Sequence, residues 1–535
     1  MENKQMKQTM KGAVILSIAA LIAKILSAVY RVPFQNMVGN TGFYVYQQVY
    51  PIYGLGMTFA LSGFPVFLSK LVAETRQPNQ RKILLKRTFI ILSCFSVVLF
   101  LGVFFFASQI AHAMGDLHLT PIVQAVSWMF LCMPFLVIWR GYFQGIGNMI
   151  PTAISQVVEQ IVRVAVILIA ATLFLKLGWS DYQMGAMAMN SAWIAGIAAL
   201  AVMGYYYYGK NRNQVLLNEE ILLTNQPVEE PPSYLNLFWR FLTEGSAICI
   251  LSALLILLQL IDSFTLFKSL TDAGILIDEA KNLKGIYDRG QPLVQLGMVV
   301  GAGFASSLIP MLTKNFINRK EKEFYQTASS LLRITTAFAM VATAGMLTLM
   351  PFINDLLFGD REGNVVLSIY ILSIIFASMI GAYNAILQSR TQHKIAIIAL
   401  IIGLLLKWGF NLLFIYPFGT MGASIATVLS LAGILVVLWL AMPNKLKGSL
   451  FHNGFAIKLI VCCWMMIFVV TLVVIGISLL PFAATRLGAL VVILLGISVG
   501  VPLFIWLILK VKLFTLREWL YMPFGKKILR LTKKV

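Results

Sequence analysis

Seven charged residues stand in or at the edge of otherwise apolar stretches of this 535-residue sequence: Lys24, Arg31, Glu159, Arg163, Asp262, Arg289 and Lys407. A charge at the centre of a bilayer costs about 2.5–3.5 kcal/mol on insertion scales, so such residues face a bundle interior or a water-filled cavity and are the functional candidates. Lys24 and Arg31 are two helical turns apart and project from one side of their helix. If Arg289 faces them, the three cations form a lining suited to a pyrophosphate or another anionic head group, with Arg offering bidentate contacts. A plainer reading competes, because Arg31 and Arg289 lie close enough to an interface to snorkel. Lys24 is too deep for that and must line a cavity or meet a buried partner. Glu159 and Arg163, at i and i+4, are expected to neutralise one another on one helix face. Asp262 either takes a proton or cation or pairs with Lys24 or Arg31, and no partner for Lys407 can be named.

Other chemistry is excluded by what is missing. No stretch reads G-x-x-x-x-G-K-[ST], so the phosphate-cradling loop of a nucleotide-driven pump is absent. HExxH is absent too, and His112, His118, His393 and His452 are too scattered for a metal site. No metal or other cofactor is expected. Cys94, Cys132, Cys249, Cys462 and Cys463 sit in apolar runs and read as small buried hydrophobes.

The elements that must position the seven charges are membrane helices. Only 12% of residues are charged and 59% are hydrophobic, about half the charge of a soluble domain, which excludes a soluble enzyme. Runs long enough to cross a bilayer are predicted near 13–34, 43–68, 88–108, 121–143, 150–174, 183–208, 241–264, 290–312, 328–352, 364–388, 395–416, 420–442, 457–480 and 487–509. That is fourteen transmembrane helices of an all-α polytopic membrane protein. Lys4, Lys7 and Lys11 before the first run imitate a signal peptide, but Lys24 and Arg31 within it indicate an uncleaved helix.

The net charge of +21 is then a matter of topology. With an inside N-terminus, 31 of the 42 Lys and Arg fall in cytoplasmic segments, Arg140 among them as the one base between spans 4 and 5, and 7 fall in outer loops. The positive-inside rule places both termini in the cytoplasm and removes the nucleic-acid reading of a basic chain. The segment 209–240, with Glu219, Glu220, Glu229, Glu230, Pro231 and Pro232, reads as a polar linker between two membrane halves.

Two internal repeats share one offset. Leu55-Gly56-Met57 recurs as Leu296-Gly297-Met298, and Phe143-Gln144 with Arg163 recurs as Leu387-Gln388 with Lys407, in both cases about six spans later. An even number of spans per unit makes the repeats parallel. The expected organisation is residues 1–235 as a six-helix lobe with its linker, 236–442 as a second six-helix lobe, and 443–535 as helices 13 and 14 with a basic tail. Pro51, Pro65, Pro292 and Pro310 fall in the duplicated pair, where a missing N–H permits bends.

The stretch Ala23-Lys24-Ile25-Leu26-Ser27-Ala28-Val29-Tyr30-Arg31, then Val38-Gly39, Gly63-Phe64-Pro65, Tyr287-Asp288-Arg289 and Leu308-Ile309-Pro310, resembles the polysaccharide-biosynthesis flippases. These are the SpoVB/YabM-like and MurJ-like proteins of the multidrug/oligosaccharidyl-lipid/polysaccharide exporter superfamily. The resemblance implies two six-helix lobes forming a V around a cavity, with the last two helices making a groove for a polyprenyl tail. It also implies substrate-binding roles for Lys24, Arg31 and Arg289. Gly42 and Pro292 depart from it, standing where MurJ-like proteins carry carboxylates. The function expected is transfer of a polyprenyl-diphosphate-linked saccharide from the inner to the outer leaflet of a bacterial cell membrane, without catalysis. Membrane lipids and a coupling proton or monovalent cation are its other partners, with Glu159, Arg163, Asp262 and Lys407 as coupling or cavity charges. The rivals are a cation-coupled multidrug exporter, which favours a carboxylate-lined cavity, and a membrane glycosyltransferase or polymerase built on Asp272, Asp278, Glu279 and Asp288. A third is an envelope-assembly scaffold.

Overall fold

A computed structural model describes residues 2–75, 77–210, 232–390, 392–479, 481 and 485–522. Every element among them is helical. This follows from the sequence, because a chain with few polar side chains in a bilayer must satisfy its backbone N–H and C=O groups within each segment. The principal helices are α1 (Glu2–Val29), α2 (Arg31–Met57), α3 (Phe64–Glu74), α4 (Pro78–Phe105), α5 (Met129–Gly145), α6 (Ile150–Leu177) and α7 (Asp181–Tyr205). They continue as α8 (Ser246–Ser252), α9 (Leu254–Asp272), α10 (Ile277–Asp288), α11 (Gly290–Ile317), α12 (Glu321–Phe358), α13 (Asn364–Ile371) and α14 (Ser373–Ser389). The last are α15 (His393–Leu440), α16 (Phe455–Ser478), α17 (Arg486–Lys510) and the short α18 (Leu516–Tyr521).

Eleven helical stretches among the described residues are long and apolar enough to cross a membrane, against the fourteen expected. Part of the difference lies in two stretches that each fold back on themselves. In α2 the chain breaks at Gly39, whose φ of 70° favours glycine. Contacts step outward from that break: Phe34 meets Phe43 at 6.3 Å, Tyr30 meets Tyr46 with hydroxyls 2.9 Å apart, and Arg31 meets Tyr50. The first two predicted spans are therefore the arms of one helical hairpin. The same arrangement recurs in α15, broken at Gly419 with φ 56° beside Pro417, where Gly403 lies against Ile434 and Gly433 against Leu406.

The chain divides into two compact units, Met1–Asp288 with Asn411–Tyr416, and the remainder. The boundary differs from the expected one after residue 235 because α9 and α10 pack on α2. Within the first unit α1 packs on α6, α6 on α7, and α5 on both α3 and α4. A π-helical turn, Thr58–Gly63, joins α2 to α3 ahead of Pro65. It sits so close to α8 that a Cβ on Gly63 would lie 1.9 Å from the Cys249 sulfur.

In the second unit α11 packs on α12 and α14, and α16 and α17 pack together against α12. Arg333 of α12 pairs with Glu518 at 3.2 Å, lies 4.4 Å from the Phe455 ring centre and donates to the Leu513 carbonyl, which ties α18 to this group. Cys249, Cys462 and Cys463 are buried, Cys132 is half-buried and Cys94 is exposed, and all five are free thiols. Most of the polar linker, including Glu219, Glu220, Glu229, Glu230 and Pro231, and the tail beyond Met522 lie outside the described residues.

Candidate functional site

The hairpin about Gly39 and helix α6 together build an aromatic and cationic cluster in the first unit. Tyr46, Tyr50 and Tyr53 recur on one face of α2 at helical spacing, and Tyr30 joins them from the other arm. Arg163 of α6 reaches into this group. It donates to the Tyr30 and Tyr46 hydroxyls at 3.0 and 3.1 Å and lies 4.0 Å from the Tyr53 ring centre. Arg31 lies with its guanidinium 4.3 Å from the Tyr50 ring centre. It is 0% exposed, and none of its three guanidinium nitrogens makes a hydrogen bond of normal geometry.

Several expected relationships are corrected here. Glu159 does not neutralise Arg163; its carboxylate takes a hydrogen bond of 2.6 Å from Arg140 of α5. Arg140 is no loop base either, being fully buried within α5, where it also donates to Ser155 and to the Ala60 carbonyl. The i, i+4 spacing of Glu159 and Arg163 fixed only that they leave α6 in similar directions. The packing of α5 put a better-placed guanidinium beside the carboxylate. Arg31 and Arg289 do not snorkel, since both are wholly buried. Lys24 and Arg31 differ in environment although they share a helix side: Lys24 is exposed, whereas the fold at Gly39 covers Arg31.

Asp262 of α9 accepts from Asn411 at 2.9 Å and from the Tyr287 hydroxyl at 2.7 Å, and Asn411 donates also to Thr265. Of the four acids at the end of α9 and along α10, Asp288 is buried in an ion pair with Lys284 at 2.6 Å and Asp278 pairs with Lys281 at 3.6 Å.

In the second unit Arg289 is engaged rather than available. Both of its terminal nitrogens meet the Asp360 carboxylate at 2.7 Å, one also reaches Asn354 at 3.2 Å, and the group lies 5.0 Å from the Phe358 ring centre. Lys407 donates to the Ala423 carbonyl at 3.1 Å and to the Thr427 hydroxyl at 2.6 Å across the hairpin at Gly419. Partial burial pushes the Asp360 carboxyl up, but the hydrogen bond and charge of Arg289 outweigh it and hold the group below the usual carboxylate range. A carboxyl depressed in the folded state gives stability that is complete above its unfolded pKa and is lost as pH falls through the folded value. Thermal stability is therefore expected to fall on acidification below about pH 4, and Asp360→Asn to flatten that fall. Melting curves of both proteins in detergent across the acid range measure the effect.

The tyrosines are the residues that charge-based reading missed. Their spacing at 46, 50 and 53 was visible, but among apolar neighbours it resembles an ordinary buried helix face.

Residues 9–316, more than half the chain, match the family model described as polysaccharide biosynthesis protein. The chain belongs to this family. Residues 287–496 match the model of the lipid II flippase MurJ. The uncharacterized membrane protein YabM of Bacillus subtilis (strain 168) is 36% identical over 98% of this chain and 96% of its own length. Lipid II flippase MurJ of the same organism is 27% identical, covering 84% of each chain. Among solved structures, lipid II flippase MurJ in an inward closed conformation matches with a TM-score of 0.61 at 15% identity, over 93% of this chain and 99% of that one. The polysaccharide biosynthesis family and the MurJ-like fold agree with a polytopic membrane protein whose charged residues are gathered inside helices.

Proposed function

We propose that this protein is a flippase carrying a polyprenyl-diphosphate-linked saccharide from the inner to the outer leaflet by alternating access. The observation that carries the reading is the cationic interior of the hairpin, where Arg31 stands buried without a well-formed hydrogen bond. Lys24 supports it as an exposed second cation on the same side of that helix. Diphosphate oxygens are acceptors suited to such groups. A relative of the chain, the Bacillus lipid II flippase, is named for a substrate of this chemical class. With no nucleotide-binding motif in the sequence, the energy comes from the membrane potential, an ion gradient or consumption of the product. One charge crossing 100 mV supplies about 2.3 kcal/mol.

The membrane arrangement belongs to the same proposal. Counting each arm of the two hairpins as a span, and adding α11, raises the eleven stretches to fourteen. Gly56 lies against Met129 and Phe130, and Gly297 against Ile374, so glycines of the repeated tripeptide meet partners displaced by nearly the same offset. That supports two parallel six-span repeats followed by α16 and α17. Both termini then face the cytoplasm, with the basic segments beside anionic lipid head groups.

The test is the arrival of labelled undecaprenyl-linked saccharide at the outer face of cells depleted of the native protein. Lys24→Ala and Arg31→Ala are each expected to reduce export at least tenfold at normal protein levels. Unchanged export in both variants overturns the cationic mechanism.

A further inference from the structure

We propose that Tyr50 parks Arg31, holding the guanidinium away from ligand until the arm that carries it moves about Gly39. The inference rests on the flippase reading and adds a control to its anion site. Arginine carries five N–H donors, and a buried charged donor without an acceptor is costly. Arg31 makes no well-formed hydrogen bond, and its charge is covered chiefly by the face of the Tyr50 ring 4.3 Å away, with the Tyr30 hydroxyl beside it. Such a contact compensates incompletely, so an arriving diphosphate has something to gain by drawing Arg31 off the ring.

Two further features fit a residue that moves. Gly39 stands between Arg31 and Tyr50 in a backbone conformation with φ of 70°, and a Cβ built there would meet nothing within 4 Å. Among the described residues no atom closes on the break itself, so a change in its backbone angles is not opposed at Gly39. Arg163, in the same aromatic cluster, is the contrast. Its bonds to the Tyr30 and Tyr46 hydroxyls and its place over Tyr53 fix it, and through it the tyrosines. One guanidinium is built in by two well-formed hydrogen bonds, and the other rests on a ring face beside the Tyr30 hydroxyl without one. Tyr50 is accordingly a positioning residue that acts through Arg31.

The experiment measures binding of inorganic pyrophosphate to the full-length protein in nanodiscs, by calorimetry, for wild type and for Tyr50→Leu, Tyr50→Met, Tyr50→Phe and Arg31→Ala. Tyr50→Leu and Tyr50→Met remove the ring and are expected to tighten binding about tenfold, the order of a desolvated cation–π contact. Tyr50→Phe keeps the ring and is expected to stay within about twofold of wild type. Either ring-free variant, whichever purifies as a monodisperse protein, is enough for the comparison. Arg31→Ala is expected to abolish binding. If Arg31→Ala abolishes binding while the ring-free variants bind no more tightly than wild type, parking is wrong and the anion site stands. If binding survives Arg31→Ala, the anion reading of Arg31 fails, and parking fails with it.

Discussion

Glu159→Ala is expected to cost about 3–5 kcal/mol of stability, because it strands a buried guanidinium. The side chains of Arg140 and Glu159 are 0% and 3% exposed, and their contact is 2.6 Å. Water cannot replace the carboxylate once it is gone, and the remaining partners of Arg140, the Ser155 hydroxyl and the Ala60 carbonyl, carry no charge. Replacing both members by apolar residues of similar size, Arg140→Met with Glu159→Leu, removes the stranded charge and is expected to recover most of the loss. Recovery should stop short by about 1 kcal/mol, since the Ala60 carbonyl in the π-helical turn loses its donor. Thermal unfolding of the purified single and double variants in detergent provides the cycle. A Glu159→Ala protein within 1 kcal/mol of wild type would show that the pair is hydrated and the burial argument mistaken.

Gly285→Ala is the second large effect, and its cause is steric. A Cβ at this position would lie 2.2 Å from the Asn40 carbonyl oxygen and 2.8 Å from its carbon. Both are backbone atoms, so no side-chain rotation relieves the clash and α10 must move away from α2. Overpacking of this kind costs about 1–3 kcal/mol or more. The displacement also pulls Asn282 from the Asn40 amide, which it accepts at 2.8 Å. Gly303→Ala is the control. Among the described residues no atom lies within 4 Å of a Cβ built at Gly303, so adding a methyl group to that helix is expected to be neutral or stabilising by up to about 1 kcal/mol. Melting temperatures of the two variants should therefore move apart; equal values would mean that α10 and α2 are not in close contact.

The reading from sequence succeeded where one physical cost dominates. Charges in apolar runs were found because lipid penalises them, and Lys24, Arg31, Arg163, Asp262 and Lys407 all fall within helical stretches suited to crossing a membrane. Partners were a different matter. Glu159 has Arg163 one turn away and Arg140 nineteen positions away, and the choice between them depends on how α5 lies on its neighbours. Arg140 was misplaced for a related reason: a single base near the end of an apolar run looks like an orientation signal whether it faces water or the interior. Arg289 matched the cationic pattern, yet Asp360, from the loop after α12, had already taken both of its terminal nitrogens. The proposed repeat pairs Arg163 with Lys407, and each donates to neutral oxygens, hydroxyls in one case and a hydroxyl with a carbonyl in the other.

The hairpin about Gly39 also bears on the order of assembly. The hydroxyls of Tyr30 and Tyr46 are joined across only 16 positions, whereas Asn40 and Asn282 are joined across 242. A ribosome adding about 5–20 residues per second completes the first pairing almost at once and reaches the second on the order of 10–50 seconds later. Contacts between near neighbours close a short loop at little entropic cost, so they form first. Arg31 is therefore covered by Tyr50 on the nascent chain, before α10 exists to pack against its hairpin. The ring shields a charge that the growing protein would otherwise have to present to lipid alone.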